Sequence, residues 1–178
     1  MSSEPAQAHY GLVVKPIRKP LNIILRQVDS LNIIRAIRPR VGRDTSLWMF
    51  RTAYFQGLMQ ELGKDALPWS QLAGKKFGQL VQIPDYASVD RAFRSLRLGK
   101  VEFSEEPGLL VFDVEECFIC SGLMGLSEPC CGFVGGLLVS VVNRVTGRDL
   151  FVRETRCVAQ NHPSCRFELE FMRSMTSD

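Results

Sequence analysis

The sequence lacks a long uncharged apolar run. Its longest stretch without a charged side chain covers positions 129–143, only 15 residues. A membrane-spanning helix needs about 20 predominantly apolar residues, so no transmembrane segment is expected. Residues 1–10 are polar and no apolar segment of signal-peptide type follows them. We therefore expect a cytoplasmic protein, one that at most contacts a membrane from its periphery.

Compositional extremes are absent as well. The chain has 178 residues, of which 46% are hydrophobic and 23% are charged, and its mean hydropathy is +0.01. These values exclude a disordered chain, a coiled coil and a collagen-like repeat. The length is that of one globular domain, which typically has about 100–200 residues.

Acidic residues are nearly absent from one segment. Residues 15–43 contain eight Lys or Arg and a single Asp, a local charge of +7 in a chain whose net charge is +3. Apolar residues at helical spacing over 21–37 predict a basic amphipathic helix there. Its basic face is explained either by solvent exposure or by contact with an acidic protein or membrane surface. No nucleic-acid partner is expected, because no recognition motif or interleaved aromatics accompany the charge.

The hydrophobic period predicts helices first and strands afterwards. We divide the chain into a flexible tail with the basic extension, 1–43, and a folded domain, 44–178. In that domain the pattern predicts helices over 45–62, 64–82, 88–98 and 127–146 and strands over 101–103, 109–119, 150–156 and 166–172. This order indicates an α+β fold with helices packed on one face of an antiparallel sheet. Gly135 and Gly136 inside the last helix suggest a close backbone approach to a sheet or a ligand.

Cysteine is missing from the first 116 residues and then occurs six times. All six lie between positions 117 and 165, namely Cys117, Cys120, Cys130, Cys131, Cys157 and Cys165. Disulfides are rare in a reducing compartment, so this cluster indicates metal or redox chemistry.

A first metal hypothesis resembles a zinc ribbon and combines Cys117 and Cys120 with Cys130 and Cys131. We disfavour it because 109–119 has the pattern of a strand, on which residues three apart point to opposite faces. No glycine or turn residue separates Cys117 from Cys120. Small buried hydrophobes are the better interpretation of Cys117, Cys120 and Cys130.

A second hypothesis combines Cys131, Glu154, Cys157 and Cys165. Cys131 is expected in the first helical turn, where backbone N–H groups favour a thiolate, and a polar loop separates the other two cysteines. Four protein ligands leave no open position, so the zinc would be structural. Glu154 and Cys157 would diverge on an ideal strand, so the strand must bend or end between them.

A third hypothesis replaces Glu154 by His162. Histidine is a common zinc ligand, but a loop histidine is often only solvated, and spacing alone leaves the two hypotheses open. In either case the site would carry negative charge, and we expect Arg153, Arg156 and Arg166 to offset it.

Four short strings together resemble a known family. They are Glu-Glu-Cys-Phe at 115–118, Cys-Gly-Phe-Val-Gly-Gly at 131–136, Glu-Thr-Arg-Cys at 154–157 and Cys-Arg-Phe at 165–167. They are similar to the vinyl reductase-like, hydrocarbon-binding domain family, which includes sensory domains of phenol-responsive activators and a bacteriochlorophyll-biosynthesis protein. The resemblance implies a fold like that of TRAPP trafficking subunits and nitric-oxide-signalling domains, a ligand chamber between helices and sheet, and a homodimer. It also implies zinc held by Cys131, Glu154, Cys157 and Cys165, which favours Glu154 over His162.

The function implied is that of a free-standing module that binds or carries a hydrophobic small molecule, with a tetrapyrrole as one candidate. A phenol specificity is not implied, because the chain has only two histidines, His9 and His162, and neither suits that role. One alternative is an assembly or scaffold protein that docks through its basic helix. A vinyl reductase is the other, and it is disfavoured because no dinucleotide-binding, flavin or iron–sulfur motif is present.

Overall fold

The computed structural model describes residues 50–51 and 53–172. The basic helix predicted over 21–37, the boundary predicted at 43/44 and the start of the helix predicted at 45 lie outside the described residues.

The described helical part begins with a π-helical segment, Ala53–Met59, in place of the regular helix that the apolar spacing predicts. One α-helical turn, Gln60–Leu62, and a 3₁₀ turn, Gly63–Asp65, connect it to helix α1, Ala66–Leu80. Helix α2 is Ala87–Ser95, and helix α3 is Gly132–Thr146. None of the helices within 50–51 and 53–172 has the length and hydropathy that a bilayer crossing requires.

Four strands form one sheet. They are β1, Lys100–Glu106; β2, Leu109–Glu115; β3, Leu150–Arg156; and β4, Cys165–Phe171. The spatial order is β1-β2-β4-β3, and each neighbouring pair is antiparallel. Because α3 connects β2 to β3, the chain follows the predicted order strand, strand, helix, strand, strand. The predicted α+β fold is confirmed.

Helix α3 is the central layer of the domain. Its residues from Gly132 to Val142 are all buried, so it has no solvated face along that stretch. Such a helix must be covered on both sides. Helix α1 covers one side, and the other side faces the sheet, whose middle strand β4 buries Cys165, Phe167 and Leu169 in alternation.

Small residues bring α1 and α3 into backbone contact. We call this contact the small-residue seam; its members are Ser70, Gly74 and Gly78 on α1 and Gly132, Gly136 and Ser140 on α3. A methyl group on Gly136 would overlap the carbonyl of Gln71, and one on Gly74 would overlap the carbonyl of Phe133. Gly135 faces the sheet instead, beside Val152 and Phe167. The close approach predicted from the glycine pair is therefore made to helix α1 and to the sheet.

Two predicted boundaries are wrong, and both lie next to cysteines. Strand β2 ends at Glu115 and not at 119, because Glu116 adopts a left-handed φ of 51° that turns the chain out of the sheet. Helix α3 begins at Gly132 with Cys131 as its N-cap, not at Ser127, so Pro129 lies before the helix.

Candidate metal centre and groove

All six cysteines are buried and free, and their sulfurs meet at one end of α3. Three parts of the chain supply them: the turn after β2, the N-terminus of α3 and the β3–β4 connection. Two sets of four ligand atoms each lie within 4.8 Å of one another. One set contains Cys131, Glu154, Cys157 and Cys165, and the other contains Cys117, Cys120, Cys131 and Cys165.

The first set has the dimensions of a tetrahedral thiolate site. The Sγ atom of Cys131 lies 3.8 Å from that of Cys157 and 3.8 Å from that of Cys165, and the last two sulfurs are 3.9 Å apart. Zinc–sulfur bonds of about 2.3 Å in a regular tetrahedron place sulfurs about 3.8 Å apart. The donor atoms and their spacing therefore fit zinc.

Local backbone geometry brings these residues together. Strand β3 has an irregular register between Glu154 and Arg156 and ends at Arg156, which is the bend that the second hypothesis requires. The 3₁₀ turn Val158–Gln160 then returns the chain toward β4. The backbone N–H of Val158 donates to Sγ of Cys165 at 3.4 Å, a contact that favours a thiolate over a thiol.

Glu154 has one oxygen in use and one buried without a partner among the described residues. Its Oε2 accepts a hydrogen bond of 2.8 Å from the backbone N–H of Cys131, the N-cap of α3. Its Oε1 is buried without a hydrogen bond. Burial, reinforced by the charge of the Cys157 thiolate, raises the pKa of Glu154 to about 9. An unpartnered buried carboxylate oxygen is costly, and a cation would satisfy it.

The thiols perturb one another in opposite directions. Hydrogen bonds from neighbouring thiols, that of Cys120 first, lower the pKa of Cys157, whereas burial above all raises the pKa of Cys131. Several thiolates crowded together without a cation repel one another, so only some can ionise. A divalent cation would remove that conflict, because thiolates are the form that binds metal.

His162 lies apart from this centre. It is exposed, and its backbone N–H donates to the carbonyl of Cys157 at 3.3 Å. It belongs to neither of the two ligand sets.

The expectation that Cys117 and Cys120 point to opposite faces of a strand is wrong. Both follow the end of β2 and lie in a turn, in which the N–H of Ser121 donates to the carbonyl of Cys117 at 2.9 Å. Their sulfurs approach the shared cysteines: Cys117 to Cys131 at 3.6 Å, and Cys120 to Cys165 at 3.2 Å. Only Cys130 stays outside both sets, with its sulfur 3.9 Å from that of Cys157.

Sequence reasoning missed the buried cation beside this cluster. Arg51 is 5% exposed, donates through Nη2 to the carbonyl of Ser121 at 2.8 Å and leaves Nε buried without a hydrogen-bond partner in the described part of the chain. Burial lowers the pKa of Arg51, and negative charge on Cys120 and Cys117 opposes that shift. Its place on an amphipathic helix gave no signal, because the turn that it contacts was predicted as strand.

Two of the arginines predicted to offset the site pair elsewhere. Arg166 bonds Asp113 at 3.1 Å, and Arg153 lies 3.4 Å from Glu170 on the surface of the sheet. The compensating positive charge is instead that of Arg51.

A mainly apolar groove runs beside the metal centre, between α1 and the edge strand β3. It consists of two adjoining clefts of about 280 and 240 Å³ that share Gln71, Phe151 and Val152. Glycines of α3 form its floor. We call this surface the groove; the larger cleft is lined by Leu67, Gln71, Pro129, Gly132, Gly135, Phe151, Val152, Arg153, Glu154 and Phe167. Glu154 therefore belongs both to the groove and to the first ligand set.

Comparison with known proteins agrees with this architecture. Residues 110–171 match the family model of the vinyl-4-reductase domain. An uncharacterized protein of Methanocaldococcus jannaschii, MJ0745, is 29% identical over 101 residues, which are 56% of this chain and 54% of that protein. The chain thus spans about half the length of the curated relative that it matches.

Two solved structures share the fold at low sequence identity. A vinyl-4-reductase family protein from Methanocaldococcus jannaschii superimposes with a TM-score of 0.57 and 16% identity, over 88% of this chain and 98% of that one. The phenol-responsive sensory domain of the transcription activator PoxR, solved with phenol, gives 0.50 and 13%, over 79% and 89%. With the match to the domain model, these likenesses confirm the resemblance to the vinyl reductase-like family.

Proposed function

We propose that this protein is a small-molecule-binding module in which a structural zinc supports one wall of an apolar groove. The observation that carries the proposal is the double position of Glu154. Its carboxylate is a member of the thiolate set that fits zinc, and the same side chain lines the larger cleft. When bound, the metal would supply charge compensation and rigidity, since four protein ligands leave no position open for catalysis.

The chain's own residues would then fix the shape of the groove. Zinc at Cys131, Glu154, Cys157 and Cys165 would hold the N-terminus of α3 against the end of β3, so the floor and the edge strand could not separate. This arrangement suits a binding site that is formed before the ligand arrives. Support from the vinyl-4-reductase domain match and from the phenol-bound PoxR domain points to the same class of protein.

The size of the groove limits the ligand. Pockets for drug-sized molecules have about 300–1000 Å³, so one cleft of about 280 Å³ suits a molecule of one or two rings. A tetrapyrrole would have to occupy both clefts, which are continuous past Gln71, Phe151 and Val152. Gln71 and Arg153 are the polar groups available to orient it. We propose an apolar, ring-containing ligand, with a tetrapyrrole as the largest member of that class.

Thermal shift with phenols, bicyclic aromatics and tetrapyrroles tests this proposal. A ligand at 100 times its Kd stabilises a domain by about 2.7 kcal/mol, which is readily detected as a higher Tm. Phe151, 56% exposed and shared by both clefts, is the residue to change. Phe151→Ser should weaken binding at least about tenfold, because it removes apolar contact without opening the core.

Leu80→Ser is the matched control. Leu80 is 81% exposed at the end of α1 and lines neither cleft, so this variant should bind as the wild type does. Equal affinity of all three proteins for a hit would place the ligand elsewhere. Absence of stabilisation by every compound would count against a binding module.

The wider assembly is part of the proposal. We propose a cytoplasmic homodimer in which residues 15–43, with their charge of +7, contact an acidic protein or membrane surface. Deleting residues 1–43 should abolish that contact and leave ligand affinity unchanged. Loss of ligand binding in the same variant would instead assign the segment to the groove.

A further inference from the structure

The second ligand set is not explained by one zinc. Cys117 and Cys120 lie in the turn after β2, outside the predicted site, and yet their sulfurs face the two cysteines that the sets share. The Cys117–Cys131 and Cys120–Cys165 sulfur separations, 3.6 and 3.2 Å, flank the Cys131–Cys165 separation of 3.8 Å. The sulfurs thus describe two tetrahedra with one edge in common.

We propose that the cluster is a dinuclear thiolate centre in which the sulfurs of Cys131 and Cys165 bridge two zinc ions. This inference rests on the zinc proposed above, which Glu154 and Cys157 would complete. The second ion would be held by Cys117 and Cys120 together with the two bridging sulfurs. Each ion is then four-coordinate, with no open position, which is the arrangement of structural zinc.

The charges and donors near the second set favour a cation there. Five thiolates and one carboxylate carry six negative charges, and two divalent ions reduce this to two. Arg51 then contributes a buried positive charge on the side of Cys117 and Cys120, anchored to the turn by its hydrogen bond to Ser121. Its unpartnered Nε is an independent sign that negative charge is expected at this place. With one zinc only, Cys117 and Cys120 would be neutral thiols and the guanidinium would face no thiolate of its own.

The compactness of the cluster selects the kind of metal centre. The four donor atoms of each set lie within 4.8 Å of one another, which leaves room for one ion between them. An iron–sulfur cluster places inorganic sulfides and several irons between its cysteines, and the ligands must stand further apart. Thiolate-rich sites of this compact kind suit zinc, for which cobalt(II) is a spectroscopic substitute.

Metal content of the full-length protein, purified under reducing and oxygen-free conditions, tests the inference. Wild-type protein should contain two zinc ions per chain, and Cys120→Ser should contain one. Cys130→Ser is the matched control, because Cys130 is buried in the same cluster but belongs to neither set, and it should retain two. One zinc in both the wild type and Cys120→Ser would overturn the dinuclear centre and leave the first site intact. No zinc in any protein would overturn both proposals, as would iron with acid-labile sulfide.

A cobalt titration of metal-free wild-type protein provides a test that does not depend on a variant. The first equivalent of Co²⁺ should produce the electron paramagnetic resonance signal of an isolated tetrahedral ion. The second equivalent should reduce that signal, because ions that share bridging thiolates couple magnetically. A signal that doubles would mean two separate ions and would overturn the bridge. Saturation after one equivalent would overturn the second site.

Discussion

The two ends of helix α3 are completed in different ways. At the C-terminal end, Gly147 caps the helix in a left-handed conformation, with its N–H donating to the carbonyl of Asn143. The Arg144 guanidinium there donates to the carbonyls of Gly78, Gln79 and Val81 at the end of α1. At the N-terminal end, Glu154 and Arg51 each retain a buried polar atom without a hydrogen-bond partner among the described residues.

This difference separates a structural end from a candidate functional end. Where the protein supplies every partner itself, the contacts explain stability and nothing more is required. Where buried charged groups remain incomplete, the native state is favourable only with an additional species, and here the donor atoms select a thiophilic cation. The groove opens beside the incomplete end, next to Glu154. Substitutions at the two ends and in the middle of α3 test this comparison.

The largest effect is expected for Cys157→Ser at the N-terminal end. Cys157 is fully buried and supplies two of the three sulfur–sulfur edges of the first set. Its loss should abolish zinc binding there and lower the free energy of unfolding by more than about 4 kcal/mol, because metal binding is coupled to folding. Metal analysis and denaturant unfolding measure the two quantities on one preparation.

Cys130→Ser is the control for this prediction, since it makes the same chemical change at a buried cysteine outside both sets. It should keep its zinc and lose at most about 1 kcal/mol. If the two variants lost equal stability with unchanged metal content, the N-terminal end would be an ordinary core.

A smaller effect is expected in the middle of α3, at the small-residue seam. In Gly136→Ala the new methyl group would overlap the backbone carbonyl of Gln71, which cannot move without displacing α1. Overpacking of this kind costs about 1–3 kcal/mol, and we expect the upper part of that range. Thermal unfolding of the zinc-loaded protein measures it.

The adjacent glycine gives a matched pair of opposite sign. In Gly135→Ala the methyl group would lie 3.4 Å from Val152 and 3.5 Å from Phe167, which is ordinary contact. Alanine favours a helix by about 1 kcal/mol over glycine, so this variant should be as stable as the wild type or more so. Equal destabilisation by both alanines would show that α1 and α3 do not meet at this seam.

The order of elements could be predicted from the sequence because hydrophobic periodicity follows from burial alone. Strand β3 has the predicted bounds, Leu150–Arg156, and β4 is displaced by one residue. The failures occur where one residue overrides the pattern. Glu116, with a left-handed φ, ends β2 although the apolar pattern continues to Ile119. The π-helical form of Ala53–Met59 has no counterpart in side-chain spacing.

The site was predictable in part, for the same reason. The bend after Glu154 follows from the need to aim Glu154 and Cys157 at one point, and the register of β3 changes there. The role of Cys117 and Cys120 was hidden, because it depends on the early end of β2. Arg51 was hidden because its hydrogen bond to the carbonyl of Ser121 spans 70 positions of the chain. Contacts of that range are set by packing and leave no local signal.

The smallest effect is expected at the C-terminal end, for Arg144→Ala. Although the Arg144 side chain is exposed, it donates to three carbonyls of α1 and its C-terminal cap at 2.6–3.1 Å. Removing these bonds should cost about 1–2 kcal/mol, because a solvated guanidinium gains little from each of them. Zinc content should be unchanged. Arg148→Ala, which removes only a cation placed 3.9 Å above the ring of Phe171, should cost less, about 0.5–1 kcal/mol.

Combining Arg144→Ala with Cys157→Ser decides whether the two ends act independently. They are separated by the 15 residues of α3, about 22 Å of helix, so their effects on the free energy of unfolding should add within about 0.5 kcal/mol. A coupling larger than that, or zinc loss in Arg144→Ala alone, would mean that α3 transmits the state of one end to the other. The contact with α1 would then be part of the metal centre's support, and the division into a structural and a functional end would be wrong.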